Sequence, residues 1–139
     1  MSIWFDNYTV KDIVTKDTMV EHLGIVVTEL GDDYVVGTMP VDNRTKQPFG
    51  ILHGGASVAL AETLASYAGY LTINPEKYHV VGVEINANHL KMAKRGLVTG
   101  RCSPIKIGRS TQVWQTEITN NDDELVCISR ITLMVLEKR

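Results

Sequence analysis

The run Gln47-Pro-Phe-Gly-Ile-Leu-His53-Gly54-Gly55-Ala-Ser-Val-Ala-Leu-Ala-Glu62-Thr-Leu-Ala-Ser66-Tyr-Ala-Gly-Tyr70 decides the architecture. A glycine-rich turn at Phe49–Gly55 leads into about five turns of helix that begin near Gly54. The helix ends near Thr72, because Asn74-Pro75 breaks it. Ala56, Val58, Ala59, Leu60, Ala61, Leu64, Ala65 and Ala68 leave no broad polar face, which is the pattern of an enclosed helix. One carboxylate, Glu62, stands in its middle. An acid on an apolar helix is costly unless paired, hydrogen-bonded or protonated. Two readings follow: a structural carboxylate that caps a neighbouring backbone group, or a general base or nucleophile in the wall of a pocket.

Upstream of this helix, Thr9 as an N-cap and the stripe Val10, Ile13, Val14, Met19 and Val20 predict a short amphipathic helix within residues 9–21. Leu23–Leu30 and Tyr34–Val41 read as strands joined by Gly31-Asp32-Asp33 into a hairpin. Pro40 limits the second strand, because proline cannot donate to a ladder. Asp42–Phe49 reads as a polar loop.

Downstream, strand follows strand: His79–Leu90, Leu97–Ile107, Ser110–Thr119 and Leu125–Leu136. Lys94-Arg95-Gly96, Gly108-Arg109 and Asn120–Asp123 supply the turns. The first of these strands places Val81, Val83, Ile85 and Ala87 on one face, and the last is apolar on both, which predicts a covered central strand. The whole order fits an α+β domain in which an antiparallel sheet of about six strands wraps around one long central helix. No repeat or linker interrupts it, so residues 1–139 read as a single domain.

The bulk properties exclude several function classes. A formal charge of −2 gives no long-range attraction to nucleic acid or acidic membranes. No apolar run is long enough to cross a bilayer, and Met1-Ser-Ile-Trp-Phe-Asp lacks the features of a signal peptide, so the expectation is a cytoplasmic protein. Cys102 and Cys127 lie in strand-like segments without metal-ligand spacing, as buried thiols in a reducing compartment would. No metal site is expected.

The chemistry converges on the start of the long helix. Its first N–H groups lack internal partners and carry partial positive charge, so a carbonyl or oxyanion would be stabilised at Gly54 and Gly55. Glu62 lies eight residues beyond Gly54, too far along one helix to share a substrate with it. Two antiparallel copies of the helix at a dimer interface would bring one Gly54 beside the other Glu62. His53 reads either as a residue that holds the loop or as a catalytic one, and the Gln47 amide could donate to a carbonyl. Ser66, at i+4 from Glu62, could bond the carboxylate or position a water, with Thr63 and Ser57 as alternatives on neighbouring faces.

The quoted run, Gln47 to Glu62, resembles the signature of hotdog-fold acyl-CoA thioesterases. It is similar to the branch that includes the 1,4-dihydroxy-2-naphthoyl-CoA hydrolase of menaquinone synthesis and the proofreading thioesterase of enterobactin synthesis. Met39-Pro40-Val41-Asp42, Val83-Glu84-Ile85-Asn86-Ala87-Asn88-His89 and Gln112-Val113-Trp114-Gln115 resemble that branch too, so the likeness spans nearly the whole chain. The resemblance implies that Glu62 is nucleophile or general base, that the Gly54 N–H polarises the thioester carbonyl, that Gln47 and His53 orient it, and that Ser66 assists the hydrolytic water. It also implies that coenzyme A, as part of the substrate and not as a cofactor, lies against Gly82, His89, Leu90, Lys91, Met92, Lys106, Ile107, Gly108, Arg109, Ser110 and Thr111. Taken alone, Lys91, Lys106 and Arg109 read as ordinary solvated turn charges. A homotetramer built as a dimer of dimers is implied as well, with an acyl pocket near Val58, Leu64, Tyr67 and Tyr70. Competing readings are a carrier-protein proofreading thioesterase, a non-catalytic acyl-CoA-binding hotdog protein and a hotdog dehydratase.

Overall fold

The computed structural model describes residues Met1–Arg139. It contains six strands, β1 (Val26–Leu30), β2 (Val35–Pro40), β3 (Tyr78–His89), β4 (Leu97–Ile107), β5 (Thr111–Thr119) and β6 (Leu125–Glu137). Two α-helices accompany them, α1 (Met19–His22) and α2 (Gly54–Leu71). The strands form one antiparallel sheet in the order β1-β2-β4-β5-β6-β3, and α2 packs against β2, β3, β4, β5 and β6. This is the α+β arrangement the sequence predicts, a sheet wrapped around one long helix.

Alternation makes the sheet one-sided. Val35 and Met39 of β2, Val98 and Cys102 of β4, Trp114 and Ile118 of β5, and Ile131 and Leu133 of β6 point inward and are buried. They meet Leu60, Ala61, Leu64, Ala65 and Ala68 of α2 in one cluster. Leu64 reaches the sheet because Gly37 and Gly100 stand opposite it: a Cβ on either would lie 2.7 Å from a Leu64 methyl group. Burying a leucine of this kind contributes about 1.5–3 kcal/mol. The amino-terminal arm closes the other end of the core, with Trp4 stacked on Trp114 at 6.4 Å between ring centres.

The structure corrects four expectations. Residues 9–21 are not one helix: a capped single turn at Val10–Asp12 is followed by extended chain, and α1 begins only after Asp17, whose φ of 61° interrupts helical geometry. In β3, a bulge between Gly82 and Glu84 shifts the register against β6. Val80 therefore faces inward before it and Ile85 and Ala87 after it, while Val81 and Val83 are exposed. β6 is paired on both sides as predicted, yet its outer row, including Arg130, Met134 and Leu136, is open. Finally, α2 is covered on one side only. Glu62 and Tyr70 are exposed, Thr63 and Ser66 between them are half-buried, and so is Ala59 one turn before Glu62. No helix is long and apolar enough to cross a membrane.

Candidate active site

The loop before α2 is built to present the helix start. Thr45 is buried and its hydroxyl donates to the Pro40 carbonyl at 2.6 Å, while the His53 N–H donates to the Thr45 carbonyl at 2.8 Å. Arg44 and Asp42 form an ion pair at 2.6 Å, and that guanidinium holds the Asp42 carboxyl below its ordinary range. Gln47 closes the tip: its side-chain oxygen accepts from the Phe49 N–H, and its main-chain carbonyl accepts from the Gly50 N–H. These bonds leave the Gln47 amide nitrogen without an acceptor in the chain.

His53 is the N-cap of α2. Its Nδ1 accepts a hydrogen bond from the Gly55 N–H at 2.8 Å, which uses one of the orphan donors of the first turn. Ala56 and Ser57 both donate to the His53 carbonyl. The Gly54 N–H has no acceptor in the chain. That donor borders a groove of about 540 Å³ lined by Gln47, Gly54, Ser57, His89, Lys91 and Met92 among others. His89 Nε2 stands 2.9 Å from where a Cβ of Gly54 would be, so a side chain there would push the imidazole at the end of β3 aside. The structure thus brings Gln47, His53 and Gly54 together with His89, Leu90, Lys91 and Met92. Ser57, which the sequence offers as an alternative to Ser66 near Glu62, instead lines the groove: three residues from Gly54, it shares that residue's helix face.

Glu62 is not in this groove. It lies about 12 Å farther along the helix axis, exposed, with no ion pair. Its neighbour is Gly82 on β3, where a Cβ would be 3.0 Å from Glu62 Oε2. Ser66 shares the open face but makes no hydrogen bond to Glu62, and the Thr63 hydroxyl donates to the Ala59 carbonyl at 2.6 Å. A backbone-capping role for Glu62 finds no partner within one protomer.

The remaining predicted contacts divide in two. Lys91 is bridged to Glu124 at 2.9 Å beside the start of α2, and that ammonium, with Asn120, holds the Glu124 carboxyl below its ordinary range. Lys106, Ile107, Gly108, Arg109, Ser110 and Thr111 form the β4–β5 turn, where Gly108 and Arg109 border Thr72 and Asn74 at the far end of α2. An 18-residue helix separates the two groups, about 27 Å, so one protomer does not unite them. The acyl-pocket expectation also fails in part, because Leu64 is fully buried on the sheet side of α2. Tyr67 is half-buried with its hydroxyl donating to the Val14 carbonyl at 2.8 Å, and Tyr70 is exposed.

Comparison with known proteins points one way. The family model described as the thioesterase superfamily matches residues 49–127. The chain is 48% identical over 136 residues to the 1,4-dihydroxy-2-naphthoyl-CoA hydrolase of Escherichia coli, covering 96% of this chain and 99% of that one. It is 49% identical over 136 residues to the proofreading thioesterase EntH of Cronobacter sakazakii, covering 96% and 98% respectively. Among solved structures, a thioesterase from Haemophilus influenzae superposes with a TM-score of 0.94 at 47% identity, covering 97% of this chain and 95% of its own. A mutant thioesterase from Pseudomonas aeruginosa gives a TM-score of 0.96 at 40% identity, covering 99% and 100%.

Proposed function

This chain belongs to the thioesterase superfamily and is a thioester hydrolase, and we propose that it cleaves aromatic acyl-CoA thioesters, of the 1,4-dihydroxy-2-naphthoyl or benzoyl kind, to the free acid and coenzyme A. Glu62 is the nucleophile or general base in this reading. The observation that carries it is the free Glu62 carboxylate on the open face of α2, without a partner in its own chain. The Gly54 N–H, equally without a partner, receives the thioester carbonyl oxygen at the helix N-terminus, where developing negative charge meets fixed dipoles.

The two groups act on one carbonyl across two copies. Antiparallel α2 helices set the Gly54 groove of one protomer beside Glu62 of the next, and the β4–β5 turn of the second copy beside His89–Met92 of the first. The carboxylate then attacks the carbonyl carbon and expels the thiolate of coenzyme A, leaving a mixed anhydride that water cleaves to the free acid and Glu62, or it takes a proton from a water that attacks the carbon as the thiolate leaves. Gln47 orients the carbonyl through its free amide, His53 holds the first turn in place, and Ser66 assists the water. A homotetramer made of such dimers, a cytoplasmic location and a role in menaquinone-type quinone synthesis complete the reading. The similarity to the 1,4-dihydroxy-2-naphthoyl-CoA hydrolase of Escherichia coli supports the aroyl group.

A thioester panel tests it: 1,4-dihydroxy-2-naphthoyl-CoA, benzoyl-CoA, aliphatic acyl-CoAs and an aroyl thioester of a carrier protein, each with wild type and Glu62→Ala. Aroyl-CoA hydrolysis that vanishes in the variant is expected. A strong preference for the carrier thioester would replace this reading with proofreading, the role named for the Cronobacter relative. Tight acyl-CoA binding without turnover would replace it with a binding protein.

A further inference from the structure

Five polar side chains are buried: Thr45, Ser57, Gln112, Thr116 and Ser129. Four of them have partners inside the chain. The Thr45 hydroxyl donates to the Pro40 carbonyl and the Ser129 hydroxyl to the Asn86 carbonyl, Gln112 bonds Trp114 and Thr72, and Thr116 bonds the Cys102 thiol. The Ser57 hydroxyl has none, although the residue is only 2% exposed. No unpartnered polar side-chain atom is sealed inside the protein. The sliver of Ser57 that reaches the surface therefore includes its hydroxyl, and the surface it lines is the groove at Gly54. On the same helix, the Thr63 hydroxyl bonds back to the Ala59 carbonyl four residues earlier, as helical hydroxyls commonly do. The equivalent acceptor for Ser57 is the His53 carbonyl, which is taken by the Ala56 and Ser57 N–H groups.

Helical side chains lean toward the N-terminus and cover the preceding turn. From residue 57 that turn begins at Gly54, which has no side chain of its own. The unpaired Gly54 N–H and the Ser57 hydroxyl are thus two free donors on one short stretch of groove wall. No carboxylate lines the groove, and the Lys91 ammonium beside it is taken up by Glu124. Two neutral donors suit an oxygen that gains negative charge during a reaction better than they suit a resident anion. We infer that the Ser57 hydroxyl is a second donor to the thioester carbonyl oxygen, beside the Gly54 N–H. The inference rests on the thioester-hydrolase reading for what occupies the groove. As the carbonyl carbon is attacked, an electron pair of the C=O bond moves onto oxygen, and Ser57 donates a hydrogen bond to it while keeping its own proton. The pair returns to re-form the C=O bond as the carbon–sulfur bond breaks. A donor fixed before the charge appears acts on the transition state more than on the bound thioester.

Kinetics and a carbonyl probe test this on the full-length protein. Ser57→Ala should melt as wild type does, while kcat for benzoyl-CoA falls about a hundredfold and KM stays within about twofold. Ser57→Cys fills the same space with a weak donor, so its kcat should fall between the two. The probe is a ketone analogue of benzoyl-CoA that cannot be hydrolysed, with a methylene between an isotope-labelled carbonyl and the sulfur. Its carbonyl stretch, read by infrared difference spectroscopy, should move to higher frequency in Ser57→Ala as one hydrogen bond is lost. Unchanged kcat in Ser57→Ala overturns the inference, and so does a carbonyl band that stays in place. Full activity in Ser57→Cys beside an impaired Ser57→Ala also overturns it, because packing alone would then explain the loss. Failure of every thioester in the panel, with the band still moving, would refute the hydrolytic reading and leave this hydrogen bond standing.

Discussion

Glu62 lies against Gly82: its Oε2 is 3.0 Å from the point where a Cβ on that strand residue would stand. The absent side chain is what allows an exposed carboxylate to rest on the edge strand at this height.

Gly82→Ala should therefore move the carboxylate without unfolding anything. The atom in the way is the far end of a flexible side chain, so it yields by a few tenths of an ångström at small cost in stability. A catalytic carboxylate does not tolerate displacement as easily, and a loss on the order of tenfold in kcat is expected. Thermal melting and kcat for benzoyl-CoA, measured together, separate the two effects. An unaltered kcat would show that the contact between these residues has no bearing on turnover.

Replacing Glu62 itself is the complementary test. The residue is exposed and unpaired, so Glu62→Gln should hold stability within about 0.5 kcal/mol while removing most hydrolysis. Unfolding in urea and steady-state kinetics on the same preparation check both halves. Near-normal turnover would refute the assignment.

What the sequence disclosed, and what it hid, follows from the range of the signals. The long helix, its start near Gly54 and the succession of strands along the chain are legible because apolar spacing and turn residues act locally, and Leu97–Ile107 is predicted to the residue; the pairing of β3 with β6, and not with β4 across Lys94-Arg95-Gly96, is not. The β3 bulge was not, since nothing in His-Val-Val-Gly-Val-Glu says which residue is left unpaired against β6. Ile13 and Val20 pack on the core as a helical stripe would suggest, but they do so from separate segments on either side of Asp17. Small apolar residues on all sides of α2 hide which side meets the sheet, so the sequence does not distinguish an acyl-pocket Leu64 from the core residue it is. Gln112 stands out in the sequence only as part of a motif. In the fold it is buried, accepting from the Trp114 indole at 2.8 Å and donating to the Thr72 hydroxyl at 2.9 Å, which fixes the end of α2 to β5.

The packing of Leu64 between Gly37 and Gly100 gives a stability prediction independent of the site. Leu64→Ala should cost about 2–5 kcal/mol, because the rigid strands cannot collapse onto the void. Gly37→Ala should cost about 1–3 kcal/mol by overpacking, since its Cβ would stand 2.7 Å from Leu64 and 3.0 Å from the Val26 carbonyl oxygen. Combining Leu64→Ala with Gly37→Ala should then cost less than the sum of the two, because the new methyl enters the space the leucine vacates. Chemical denaturation of the three variants measures this, and strict additivity would contradict the contact.

His53 offers a way to separate support from chemistry. His53→Ala removes the acceptor of the Gly55 N–H and should cost about 1 kcal/mol, with reduced kcat as the first turn loosens. Asparagine also caps helices, so His53→Asn should recover both stability and most of the activity. Recovered stability with activity still lost would instead make the imidazole a participant in the reaction.

The buried thiols predict how the fold responds to alkali. Burial pushes the Cys102 thiol up from an ordinary value of 9.0 to about 12, even though a hydrogen bond with Thr116 acts the other way. The Cys127 thiol is raised by burial as well. Below pH 9 both the folded and unfolded chains keep the Cys102 proton, so its contribution to stability is fully present. Between about 9 and 12 the unfolded chain releases the proton while the folded chain retains it, and stability falls as pH rises, by about 1.4 kcal/mol per pH unit from this group. Tyrosine and lysine titrate in the same range, so the comparison is with Cys102→Ala, which keeps those groups and lacks the thiol. The variant should start less stable at pH 7 because of the cavity, then lose stability with pH more gradually than wild type. Parallel slopes from pH 8 to 10.5 in urea unfolding would show that the thiol titrates alike in the folded and unfolded chain.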